Sequence, residues 1–335
     1  MACYTKNLLL SLFHSTYNRR QLFPKVLTAR DVTLNVGVVL RFPKLESAEM
    51  SSLRRKSLTV LWSGLLAFVI LVMGQSVWSI LLIANFRRGP TTPWSIVVMI
   101  GFLWLMWRYL GGSWWPHATS EKRHRLLRAN SVSGRNLVLA FIAGVFAMIA
   151  LAGYWIVFCE LVKTSPNAMP DTSKYPLLIV ALVLTMSAVV SPVVEEIAFR
   201  GYCQKILESE FQGHAAVIIS SLLFMLAHAN HGWFWSKLLV YFLAGLAFGT
   251  IAYLTNSIIA SVPVHIVGDL LFFTLIWPRD ASRRLVTEGG ADPWFWLHIL
   301  QAAVFTALAL LAFRRLAKHC AIGRQASHRE DVVAA

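Results

Sequence analysis

PLLIVALVLTMSAVVSPVVEEIAFR (176–200) carries no charged side chain between Lys174 and Glu195, then places Glu195, Glu196 and Arg200 on what the spacing predicts is the same helix. At ~1.5 Å per residue an apolar run of about 20 residues crosses the ~30 Å hydrocarbon core of a bilayer. Working outward from 176–199, comparable apolar windows recur near 58–84, 94–110, 137–162, 215–233, 237–255, 257–276 and 294–313. Across the whole chain of 335 residues, 57% are hydrophobic and 14% charged, with a mean hydropathy of +0.60. A soluble domain averages about 25% charged residues, so the composition excludes a water-surrounded globule. The expected fold is all-α, a polytopic transmembrane helix bundle of about eight spans. Trp94, Trp114, Trp115, Trp233, Trp235, Trp277, Trp294 and Trp296 fall near the window ends, as an interfacial belt or ordinary packing would have them.

The net charge of +15 is compatible with nucleic acid, anionic lipid or topology signals. Its distribution favours the last, because the basic residues cluster between apolar windows and no nucleic-acid motif accompanies them. With an inside amino terminus, the inside segments hold Arg54, Arg55, Lys56, Lys122, Arg123, Arg125, Arg128, Arg135, Lys205 and the basic residues 314–329. They total roughly 14 against roughly 8 outside, which predicts both termini cytoplasmic. Cys3, Cys159, Cys203 and Cys320 show no CxxC spacing and are expected to be free thiols.

Residues 1–49 lack the ordered basic, apolar and small-residue segments of a signal peptide. They read as a disordered extension or a mis-assigned start, with Met50 the natural beginning. The expected organisation continues with helices over 50–175, a catalytic helical core over 176–276, one helix over 277–313 and a basic cytoplasmic tail over 314–335. A multi-pass chain with short loops fits a bacterial plasma membrane.

A charge at the bilayer centre costs about 2.5–3.5 kcal/mol even on lenient scales, so ionisable residues in spans are functional candidates. Helix neighbours four apart share a face, which lets Glu196 pair with Arg200 and His265 with Asp269. The polar string 208–214 reads as a turn between antiparallel helices. Glu195 lies about 13 residues before it and His228 about 14 after it, and His265 stands roughly 14 Å beyond the turn around Thr255-Asn256-Ser257. Three helices are thereby expected to bring Glu195, His228 and His265 to similar depth. Plainer readings exist: a Glu–Arg pair at i,i+4 can be a solvated helix-end bridge, and a membrane histidine can be packing glue. Three motifs at matched depth weigh against independent plain explanations. His231 and His298 read as interfacial or packing residues. Pro192 and Pro263, each just ahead of a motif residue, either open a cavity or are tolerated prolines.

The set Glu195-Glu196-xxx-Arg200, Phe224-xxx-His228 and His265-xxx-Asp269 resembles the CPBP family of intramembrane glutamic endopeptidases, which includes the CAAX proteases and bacteriocin-processing enzymes. The resemblance covers about residues 176–276. It implies that Glu195 is a general base activating a water shared with His228, that His265 and position 269 stabilise the oxyanion, and that Glu196 and Arg200 orient the site. It implies no cofactor and no metal. Many relatives carry Asn at 269; an ionised Asp cannot donate to an oxyanion, so Asp269 must be protonated or must serve by orienting His265.

Two other readings compete. Glu195, His228 and His265 also fit a His₂-Glu zinc site of a membrane protease, with a fourth position for water, although nothing here resembles HExxH. A transporter with an intramembrane Glu–His–Arg relay, or a scaffold, is the non-enzymatic alternative, weakened by the lack of an inverted repeat. The expected partners are a protein or peptide substrate and membrane lipid, and no nucleic acid. Neither the oligomeric state nor the choice among prenylated proteins, bacteriocin-like peptides and C-terminal sorting signals is encoded in these motifs.

Overall fold

In the computed structural model the described residues, 47–164, 172–229, 232–280 and 282–334, fold as helices and turns, with no strand among them. Cys3, His231 and nearly all of the expected extension 1–49 lie outside the described residues. Two compact units are distinguished, Met1–Arg55 and Lys56–Ala335. Of the first only residues 47–55 are described, and they are helical. All that follows concerns the second.

The helices of eight or more residues are α1 (Ser47–Arg88), α2 (Trp94–Leu110), α3 (Ser120–Leu127), α4 (Gly134–Leu161), α5 (Leu177–Leu207), α6 (Gly213–Ala227), α7 (Trp235–Thr255), α8 (Val262–Asp280) and α9 (Pro293–Ala334). Six of them, α1, α4, α5, α7, α8 and α9, are long and apolar enough to cross a membrane. Each expected window therefore contains a helix, but α2 and α6, at 17 and 15 residues, are shorter than a full span. Leu61, Trp62, Leu65 and Phe68 on α1 point outward, as side chains bathed in lipid do. The chain is an integral membrane protein.

Two boundaries differ from the sequence reading in ways that matter for the site. The window 215–233 stops being helical at Ala227, where His228 becomes the C-cap. Gly232 follows at φ 108°, a conformation open to glycine that turns the chain back toward α7. The window 257–276 begins its helix only at Val262, after the turn at Ile258–Ala260, so His265 sits in the first turn of α8. Pro263 consequently occupies a first-turn position, where its missing N–H costs nothing, and makes no kink.

Close approach holds the bundle together where side chains are small. A Cβ at Gly74 of α1 would lie 2.5 and 2.7 Å from the two Cγ atoms of Val194 on α5, so only glycine lets these helices meet at this level. A polar cluster with Arg128 and Gln204 buried, Glu208 partly buried and Asn256 exposed joins the helix ends on one side. Arg128, with φ 57°, donates from Nη1 to Glu208 Oε1 (2.8 Å) and from Nε to Asn256 Oδ1 (3.1 Å). Gln204 Nε2 donates to Glu208 Oε1 (3.1 Å) and to the Gly249 carbonyl (3.1 Å). Burial lowers the Arg128 pKa and the Glu208 carboxylate opposes that shift. Through this cluster the α3–α4 junction, the end of α5 and the α7–α8 turn are fixed to one another. Cys159, Cys203 and Cys320 are buried and take part in no disulfide among the described residues.

Candidate active site

The site begins with a change of helical pitch. Pro192 has no N–H to give, which leaves the α5 hydrogen-bond ladder one donor short. Immediately beyond it, Glu196–Cys203 widens into π-helical turns before α-helix resumes at Gln204. Such bulges are concentrated at functional sites. Pro192 itself lies within regular α-helix, which runs on to Glu195 before the π-helical turns begin.

Glu195, Glu196 and Arg200 are buried on this segment and are not a solvated helix-end bridge. Glu195 Oε2 lies 3.8 Å from His228 Nε2 and 3.7 Å from His265 Nε2. One carboxylate oxygen is therefore faced by two imidazole nitrogens from two other helices, beyond direct hydrogen-bond length and within reach of a bridging water. The three residues expected at similar depth do converge.

Each ring is held by its other nitrogen. His228 Nδ1 donates to the Phe224 carbonyl (2.8 Å), with Nε2 on the side of Glu195. The ring stacks on Tyr241 of α7, with centroids 4.3 Å apart. His265 Nδ1 pairs with Glu196 Oε1 (3.0 Å), and the ring stacks on Phe248 at 4.1 Å. Asp269 Oδ1 stands 3.7 Å from His265 Nε2, on the same side as Glu195.

Glu196, fully buried, is the hub behind the site. Ser261 Oγ donates to its Oε2 (2.5 Å), His265 Nδ1 to its Oε1, and Arg200 Nη1 stands 3.4 Å from Oε1. Because Ser261 and Arg200 can both act as donors here, the carboxylate is the acceptor and His265 Nδ1 carries the hydrogen. The Arg200 guanidinium is clamped between aromatic faces, with Cζ 4.1 Å from the Phe224 ring centre and 5.3 Å from that of Phe248. Cation–π attraction in a desolvated place replaces part of the hydration that Arg200 gives up.

Sequence reasoning missed Ser191, Ser261, Gln75 and the aromatic clamp. Ser191 and Ser261 stand four residues before Glu195 and His265, a spacing that marks them as same-face neighbours of candidates already chosen. Nothing in the sequence connects Gln75, on α1, with α5. Among the described residues no group of three or more His, Cys, Asp or Glu is arranged to hold a metal ion, so the geometry adds no support to the His₂-Glu zinc reading.

Residues 176–271 match the family model described as type II CAAX prenyl endopeptidase Rce1-like. This is the CAAX-protease grouping that the three motifs resemble, and the matched stretch contains all six candidate residues. The family implies a protease. No curated protein matches the chain, and no solved structure does.

Proposed function

We propose that this protein, CAAX-protease-like over residues 176–271, is an intramembrane glutamic endopeptidase that hydrolyses a peptide bond of a membrane-tethered or hydrophobic substrate. The observation that carries the reading is the single oxygen Glu195 Oε2 set opposite His228 Nε2 and His265 Nε2 at 3.8 and 3.7 Å. A water placed among these atoms gives one hydrogen to Glu195 and points the other at Nε2 of His228, the unprotonated nitrogen of a neutral ring whose Nδ1 donates to the Phe224 carbonyl. Its oxygen attacks the carbonyl carbon of the scissile bond while Glu195 takes the proton. The tetrahedral oxyanion is met by His265, as an imidazolium donating from Nε2, and by Asp269 in its carboxylic-acid form, since a carboxylate would have no hydrogen to give. Collapse breaks the C–N bond, and Glu195 returns its proton to the leaving nitrogen. Glu196 and Arg200 hold His265 without touching the substrate.

In this account residues 176–276 are the catalytic core, with the helices of 50–175 and 277–313 flanking it. The basic distribution favours a site reached from the cytoplasmic side of a bacterial plasma membrane with both termini inside. Substrate and lipid are the partners, and no cofactor takes part.

Comparing the membrane proteomes of cells carrying wild type, Glu195→Gln and His228→Ala by terminal-peptide mass spectrometry tests the reading. New termini are expected with wild type alone. Identical termini in all three strains, with each protein folded and present, would remove the enzyme reading and favour a carrier or scaffold.

A further inference from the structure

The mechanism uses one oxygen of Glu195 and leaves the other to be accounted for. Ser191 Oγ donates to Glu195 Oε1 at 2.6 Å, and Gln75 Nε2 donates to Ser191 Oγ at 2.9 Å. We infer that Gln75 and Ser191 are positioning residues, a two-step hydrogen-bond chain from α1 that fixes the Glu195 carboxylate so that Oε2 alone faces the water. The inference rests on Glu195 acting as the base, and it extends the site to a helix outside the matched stretch 176–271.

The direction of the chain follows from what a serine does by default. A serine inside a helix ordinarily turns its hydroxyl back to the carbonyl four residues earlier. Ser187, one turn away on the same helix, does so: its Oγ donates to the Val183 carbonyl at 2.9 Å while accepting from Trp78 Nε1 at 3.1 Å. Ser191 also accepts from α1, but its hydroxyl goes forward to Glu195. The two α1–α5 rungs, Trp78–Ser187 and Gln75–Ser191, therefore have the same donor side and different ends, one on backbone and one on the catalytic carboxylate.

Two features make the second rung more than packing. An amide N–H aimed at Ser191 Oγ occupies an acceptor lone pair and leaves the hydroxyl hydrogen to point at Glu195. Gly74 next to Gln75, and Val194 next to Glu195, are at the level where only a glycine lets the helices meet, so the reach of Gln75 is set by backbone approach. A charge-assisted bond to one carboxylate oxygen removes a rotational freedom that the base would otherwise lose on binding water.

The test uses purified full-length Ser191→Ala, Ser191→Thr and Gln75→Leu in proteoliposomes, with a peptide spanning the cleavage site that the terminal-peptide comparison yields. Ser191→Ala is expected to lower kcat about 10-fold to 100-fold with KM unchanged, and Ser191→Thr, which keeps the hydroxyl, to recover to within about 3-fold of wild type. Gln75→Leu is expected to fall between them. In parallel, infrared difference spectra against Glu195→Gln isolate the Glu195 carboxyl band, which is expected to move in Ser191→Ala and to stay in Ser191→Thr. A wild-type kcat in Ser191→Ala overturns the inference, and so does a lowered kcat with an unmoved band, since that is a structural effect. If wild type cleaves nothing, the function proposed above fails on its own evidence and the band alone decides whether the chain holds Glu195.

Discussion

Glu196→Gln is the sharpest test of the hub behind the site, because it alters charge with almost no change of shape. Glu196 is fully buried, and it takes hydrogen bonds from Ser261 and His265 with Arg200 3.4 Å away. A glutamine keeps one oxygen for the His265 side and can turn its NH₂ toward Ser261, whose hydroxyl can rotate to accept. The hydrogen bonds are thus largely replaceable, and what is lost is the countercharge beside Arg200. Removing one partner of a buried ion pair costs about 3–5 kcal/mol, because the remaining charge stays in low dielectric. At about 2 °C per kcal/mol for a chain this large, the apparent Tm in detergent is expected to drop by roughly 6–10 °C. Adding Arg200→Met removes the stranded charge while keeping an apolar side chain between Phe224 and Phe248. The double variant is therefore expected to recover by about 1–3 kcal/mol relative to the sum of the single changes. Thermal unfolding at one fixed scan rate for the four proteins reads the cycle. Strict additivity, or a Glu196→Gln variant as stable as wild type, would refute the argument that this pair is held by its mutual charge.

Three further outcomes are expected. Asp269→Asn, which can donate to an oxyanion, should keep cleavage within a few-fold of wild type, while Asp269→Leu should lower the rate by about 10²–10³; equal losses in both would count against a donor at 269. Gly74→Ala should destabilise by about 1–3 kcal/mol through overpacking on Val194, and Val194→Ala in the same chain should restore most of it, as read by thermal unfolding. Glu208→Gln should cost about 2–3 kcal/mol, below the fully buried figure because Glu208 is 12% exposed, with no direct effect on the chemistry; a Tm equal to wild type would show that Arg128 does not depend on it.

Much of the architecture was legible because lipid solvent imposes long apolar runs, and each of the eight windows contains a helix. The candidate residues were legible for the same reason, since Glu195, Glu196, Arg200, His228, His265 and Asp269 stand out against an apolar background. Spacing correctly paired Glu196 with Arg200 and placed Glu195 within reach of His228 and His265. Helix ends were less legible: the stop of α6 at Ala227 and the start of α8 at Val262 depend on turn conformations at Gly232 and Ile258–Ala260 that hydropathy does not register. The π-helical turns over Glu196–Cys203 were not legible either, because hydropathy and spacing do not distinguish π from α pitch over two turns. Gln75 was invisible as a functional residue, being one polar side chain in a long apolar helix whose partner is 116 residues away. Arg200 was expected to support the site, but its aromatic clamp required the tertiary placement of Phe224 and Phe248.

The central claim is that Glu195 is the base, and the most direct measurement is the cleavage rate of purified Glu195→Gln against wild type at saturating substrate. Glutamine fills the same space and still accepts from Ser191, yet cannot take a proton from water, so the account predicts a rate lower by about 10²–10⁴ with unchanged thermal stability. A folded Glu195→Gln protein that cleaves within a few-fold of wild type would contradict it.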